Sequence, residues 1–161
     1  MVDDSVVIRR GLFSDVGLIF RFIYELSEYE GLVDSVFVTE SILGEWLLGG
    51  CVEVLIAEFL GEPVGFVLYY FTYSTFRGAS GIYVEDLFIR PEFRRRGIGT
   101  KFFCELAKVA KLRGCFRVDW MVLNWNANSI EFYKKLGSRP IDDWTTYRLE
   151  GEQLEKLANK N

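Results

Sequence analysis

A chain of 161 residues, half of them apolar and about a quarter charged, is long enough for one domain and too apolar for intrinsic disorder. Its net charge of −4 argues against nucleic acid, whose phosphates need a basic face, and suits small cations better. It has no histidine and only three scattered cysteines, which argues against a zinc site and excludes Ser-His and Cys-His nucleophilic mechanisms. Along the chain, Val6 to Arg9 reads as a short strand, and Ser14 as the N-cap of an amphipathic helix ending near Tyr29. Thr39 and Glu40 open a second helix, stopped by Gly49 and Gly50. Val52 to Phe59 and Val64 to Tyr73 read as strands joined through Gly61, Glu62 and Pro63, and Gly81 to Ile89 as a fourth. A helix follows from Thr100 to Leu112 with Gly114 at its end, then a buried strand from Arg117 to Leu123. Asn128 to Leu136 reads as a helix, Tyr147 to Leu149 as an edge strand and Gly151 to Lys160 as a charged helix. The chain is expected to be α+β, a single domain over residues 1–161 without linker or repeat. The acidic N-terminus is unlike a signal peptide, and Arg21, Glu25 and Glu53 interrupt the apolar runs, so no membrane span is expected and the location is expected to be cytoplasmic.

The richest stretch runs from Tyr83 to Thr100. A β-branched strand carries adjacent carboxylates at Glu85 and Asp86, turns at Pro91, and delivers Arg94, Arg95 and Arg96, then Gly97, Ile98 and Gly99, to the start of a helix. A helix start offers unpaired N–H donors and a positive dipole end, and glycine lets an anion approach the backbone. Arginines beside it add charge-assisted bonds to phosphate. The three arginines alone are also compatible with a basic patch, but the glycines directly behind them favour a phosphate ligand. Acid–base residues next to a phosphate cradle point to group transfer. With no histidine, proton transfer falls to carboxylate, tyrosine, lysine or water. Cys104 and Cys115 have no histidine to make them thiolates, which argues against a covalent acyl-enzyme.

Arg94-x-x-Gly97-x-Gly99 resembles the pyrophosphate motif of the GNAT superfamily of acetyl-CoA-dependent N-acetyltransferases. With the blocks Tyr69 to Tyr73 and Asn124 to Tyr133, the likeness extends over nearly the whole chain. In order and spacing these blocks are similar to the diamine (spermidine/spermine) acetyltransferases and their thialysine-acetylating relatives. The resemblance implies a central mixed, mostly antiparallel sheet flanked by helices, in the order β-α-α-β-β-β-α-β-α-β. It implies acetyl-CoA as co-substrate, held by the main chain of Leu87, Phe88 and Ile89, by the cradle from Arg94 to Thr100, and by Asn126, Ala127, Asn128 and Ser129. No metal is expected.

Glu85, a charge inside a strand, is the first candidate to accept the proton of the amine. By the same resemblance it aligns with the glutamate that binds the amine, while Tyr133 matches the tyrosine that protonates the departing thiolate. Tyr29, Glu30, Glu85, Asp86, Asp119, Trp120 and Asp142 are the expected acceptor contacts. Strand alternation sends Asp86 to the face opposite Glu85, which leaves a structural ion pair as its other reading. For Asp142 and Asp143, a solvated surface is the competing reading. Ser74 stands where spermidine-preferring relatives have an aspartate, a pattern closer to the thialysine branch. The expected acceptor is a small primary amine: a thialysine-like amino acid, a lysine analogue, or a diamine or polyamine. The alternatives are a protein lysine or N-terminal acetyltransferase and a non-catalytic acyl-CoA-binding regulator. Family likeness also implies a homodimer.

Overall fold

In the computed structural model, which describes residues 5–160, the chain divides into two compact units, Met1–Met121 and Val122–Asn161. The first contains a five-stranded sheet of order β1-β2-β3-β4-β5. The strands are β1 (Val6–Arg10), β2 (Glu53–Phe59), β3 (Glu62–Ser74), β4 (Ala79–Ile89) and β5 (Val118–Trp120). β1 to β4 form an antiparallel meander and β5 joins β4 in parallel, as a strand after a helical crossover must. α1 (Val16–Glu30) and α2 (Glu40–Leu48) precede β2, and α3 (Ile98–Leu112) links β4 to β5.

Alternation along the strands sorts the core into two layers. Ile56, Phe66, Leu68 and Phe88 pack with Ile19 and Phe22 of α1 and Leu43 of α2. Val67, Tyr69, Ile82 and Val84 pack with Ile98, Phe102 and Leu106 of α3. These layers are dry: Phe22, Phe66 and Phe102 have no exposed surface. Each such side chain contributes about 1.5–3 kcal/mol by burial, before the entropy of ordering is subtracted.

Several local readings change. α1 is entered through a 3₁₀ turn at Phe13–Asp15, so Asp15 rather than Ser14 stands at its N-cap position. Asp15 is held there by Arg9, at 2.8 Å and 2.9 Å, and by the N–H of Leu12. The β2–β3 hairpin turns on Leu60 and Gly61, with φ of 52° and 84°, a two-residue turn with both central residues left-handed; Glu62 and Pro63 already lie in β3. β5 is only three half-buried residues instead of the seven expected from Arg117 to Leu123. The helix after the cradle starts at Ile98, two residues early, because Ile98 is itself a buried core residue. Its end follows expectation: Gly114 has φ 67°, and Cys115 N–H reaches back to the Ala110 carbonyl.

The second unit holds α4 (Ala127–Lys135) and α5 (Gly151–Ala158). The Asn126 side chain caps α4 by accepting from Ser129 N–H at 3.2 Å. The edge strand expected at Tyr147–Leu149 is absent: these residues are exposed and pair with no strand among the described residues. A three-residue alternation has no ladder to join unless a partner lies alongside it.

Candidate active site

The position that organises the first unit is a β-bulge in β4. Leu68 lies opposite Asp86 and Tyr69 opposite Val84, so Glu85 is the additional residue between two consecutive pairs. Before the bulge, Ile82 and Val84 face α3; after it, Phe88 faces α1, and Asp86 lies across from Leu68 on that same side. The bulge therefore resets the alternation and places Glu85 and Asp86 on one face instead of two. Unbroken alternation was the reason for expecting them apart, and the extra residue overturns it.

Glu85 is exposed and Asp86 half-buried. Burial pushes the Asp86 carboxyl up to about 7, helped by the nearby charges of Glu85 and Glu30. Glu30, the last residue of α1, is likewise raised by burial. Among the described residues, none of these three carboxylates has a lysine or arginine partner. Three like charges with no cation between them are costly, and a bound ammonium group relieves that cost.

The same face carries a tyrosine pair. Tyr70 of β3 lies across from Tyr83 of β4, with ring centroids 5.3 Å apart. Sequence reasoning gave neither ring a role, although Tyr70 lies in the Tyr69–Tyr73 block of the resemblance and Tyr83 opens the strand that carries the two carboxylates. Asp119 pairs in register with Tyr83 but is already engaged by Arg117 at 2.6 Å. Trp120 falls on the α3 side and packs on Phe103 at 4.8 Å, so it belongs to the core layer rather than to this acidic face.

β5 pairs with β4 only from Ile82 to Val84, so β4 has no outer neighbour from Glu85 onward among the described residues. The Phe88 carbonyl points inward to β3, where a Cβ on Gly65 would stand 2.5 Å from it. By alternation, the main-chain groups of Leu87 and Ile89 turn to the open edge. The Arg94 Nε–H donates to the Ile89 carbonyl at 2.9 Å, and its guanidinium lies 4.4 Å from the centre of the Tyr29 ring. Arg94 thus ties the end of α1 to the end of β4, and Tyr29 gives one ring face to that contact.

Next comes the cradle. Arg95 has φ 61°, an uncommon left-handed conformation for a side-chain-bearing residue, and Gly97 has φ 78° at the N-cap of α3. This alternation of hand gathers successive N–H groups into a concave nest. The first helical hydrogen bond is Lys101 N–H to the Gly97 carbonyl, which leaves the N–H groups of Ile98, Gly99 and Thr100 without a partner among the described residues. A Cβ at Gly97 would meet nothing within 4 Å, so the space over the cradle is open. Arg95 and Arg96 are exposed, with Arg96 stacked over Phe59 at 4.9 Å. A pyrophosphate fits this donor set: several N–H groups, a helix N-terminus and two exposed guanidinium groups.

In the second unit, Asn126 is buried and spent on capping, while Ala127, Asn128 and Ser129 form the first turn of α4. Tyr133 is half-buried on that helix beside Phe132, and its carbonyl accepts from Ser138 Oγ at 2.7 Å. Asp142 and Asp143 lie in an exposed turn.

Comparison with known proteins identifies the family. Residues 20–138 match the acetyltransferase (GNAT) family. The chain is 41% identical to the thialysine N-epsilon-acetyltransferase of Sus scrofa, over 97% of this chain and 99% of that one. It is 40% identical to the protein of the same name from Bos taurus, over 96% and 98%. Among solved structures, an integron cassette protein from the mobile metagenome of V. cholerae superposes with a TM-score of 0.79 at 30% identity, covering 97% of this chain and 99% of that one. With its bulged acidic strand, open strand edge and glycine-capped cradle, the chain belongs to the GNAT family and is an N-acetyltransferase.

Proposed function

We propose that this enzyme moves the acetyl group of acetyl-CoA to a small primary amine of the thialysine or lysine-analogue type. The observation that carries the reading is the face bearing Glu30, Glu85 and Asp86, three carboxylates without a basic partner among the described residues. Such a face favours a compact cation, and an acceptor carrying a second charge could use more than one of the three carboxylates. Acetyl-CoA supplies the acetyl group activated as a thioester. The cradle from Arg95 to Thr100 would hold its pyrophosphate, and the open edge at Leu87 and Ile89 its amide-bearing arm.

An alkylammonium group with pKa near 10.4 must lose a proton before it can attack. Glu85 would take that proton, directly or through water, and Asp86 with Glu30 would anchor the cation. Tyr133 would donate a proton to the departing sulfur. Attack is direct. Cys51 and Cys104 are exposed and Cys115 is half-buried against Ser80 Oγ, and with no histidine in the chain none has the usual base that would make it an acyl carrier. These free thiols also suit a reducing cytoplasm. The family match runs from residue 20 to residue 138, across the boundary of the two compact units, which supports a single acetyltransferase domain. We further propose a homodimer, because the second unit leaves Trp144 and Tyr147 at 78% and 91% exposure.

Polyamines are the second reading. Against them, Ser74 Oγ accepts from Arg77 N–H within the β3–β4 turn, so this position serves the hairpin and offers no carboxylate to a long polycation. Thiol release from acetyl-CoA, measured with thialysine, lysine, putrescine, spermidine and a histone peptide, tests the assignment. Thialysine is expected to turn over fastest and spermidine slowly. A spermidine rate equal to that with thialysine would remove the amino-acid preference, and turnover with the peptide alone would move the acceptor to protein. Replacing Glu85 by Gln is expected to lower kcat about 100-fold or more while acetyl-CoA still binds.

A further inference from the structure

A residue at a bulge has no partner directly across the ladder, so its side chain has no pair to hold it. Glu85 is in that position, and it is exposed as well. A base that wanders among rotamers spends little time within reach of its proton, so something must hold it. Candidates are the side chains on the same face of the sheet. Leu68, opposite Asp86, has no polar group. Tyr83 lies two residues before Glu85 on the same strand. Tyr70, opposite Tyr83, is the diagonal cross-strand neighbour of Glu85, at a distance that long and aromatic side chains span.

Tyr70 is itself well fixed. Its ring packs against Tyr83 at 5.3 Å with the planes 33° apart, so a half-buried aromatic pair sets the direction of its hydroxyl. We propose that Tyr70 is a positioning residue for Glu85, its hydroxyl holding the bulged carboxylate toward the acceptor while Tyr83 holds Tyr70. The electrostatics agree with this geometry. Burial and the nearby charge of Glu85 both raise the Tyr70 phenol, so it stays a donor throughout the working pH range. Tyr83 is raised too, by burial and by the neighbouring Glu85, Tyr70 and Asp119.

The inference rests on the proposed role of Glu85, and a double-mutant cycle separates the two. The four enzymes are wild type, Y70F, E85Q and Y70F/E85Q, assayed by thiol release with thialysine and saturating acetyl-CoA. Tyr70→Phe keeps the ring and removes only the hydroxyl. It is expected to lower kcat about 10- to 100-fold, the range of a hydrogen bond to a charged group. The KM for acetyl-CoA and the thermal midpoint should stay at wild-type values. In the E85Q background the same change should alter kcat by less than about 2-fold, because the carboxylate it positions is gone. A Y70F enzyme at wild-type rate beside a crippled E85Q would overturn the Tyr70 inference alone. So would an equal loss from Y70F in both backgrounds. An E85Q enzyme as fast as wild type would overturn the role of Glu85 and the inference together.

Discussion

At pH 7 Asp86 sits near the midpoint of its titration, because burial and two neighbouring carboxylates oppose its ionisation. The sign of the linkage follows. The folded carboxyl lies above its ordinary value of 3.8, so the penalty is absent below pH 4, grows as pH rises, and is complete above about pH 7. Asp86→Asn removes the charge and keeps the shape. At pH 8 this variant is expected to be more stable than wild type by on the order of 2–4 kcal/mol, an upper range given the partial exposure of the site. At pH 3.5 the difference should vanish. Denaturant melts at the two pH values check both statements. Activity should move the other way: the acceptor KM of wild type falls as pH rises through about 7, and this dependence is lost in D86N. A stabilising change that costs function is the expected signature of a strained binding residue. Asp86 could be singled out in the sequence as a carboxylate inside a strand, but its face could not. The bulge arises from pairing with Leu68 and Tyr69 across the hairpin, and no neighbour in sequence reports it.

Among the elements, the turn into α3 is the clearest case of local sequence dictating local structure. Gly97 takes φ 78° with open space above it, so Gly97→Ala meets no clash and bears only the left-handed penalty of about 1 kcal/mol. The thermal midpoint should fall by about 2–4 °C. The added methyl projects at the cradle, so the Kd for acetyl-CoA is expected to rise by about tenfold or more, measured by calorimetry. An unchanged Kd would mean that the pyrophosphate is not held there. Glycine spacing, arginines and apolar period all lie within one short stretch, which is why this turn is legible in the sequence. Trp120 was harder to place. Its neighbour Asp119 faces the acidic side, and only the sheet register sends the indole to Phe103 instead. The strand expected at Tyr147–Leu149 failed for a related reason, since its pattern was adequate and the partner it needed lies elsewhere or nowhere in the described chain.

At the scale of the molecule, the meander and its two core layers follow from strand periods and helix faces that the sequence displays openly. The assembly does not. Leu154 and Leu157 of α5 are about half exposed, and with Trp144 and Tyr147 they leave apolar surface that a second copy would cover. Light scattering on the eluting protein is expected to give twice the chain mass; a monomer at micromolar concentration would refute the homodimer.

The single additional residue in β4 also bears on how this chain can change over time. Substitution at position 85 alters one exposed side chain and leaves the ladder intact. Deletion there is absorbed in the same way: the strand closes up by one residue, Val84 stays opposite Tyr69 and Asp86 opposite Leu68, and the alternation becomes regular with no side chain trading faces. A deletion library through β4 should therefore keep folded protein at position 85, and both deletion and substitution there are expected to lose turnover. Descendants of this sequence can revise the chemistry of the site one letter at a time, or discard the extra residue altogether, without moving its neighbours to new partners.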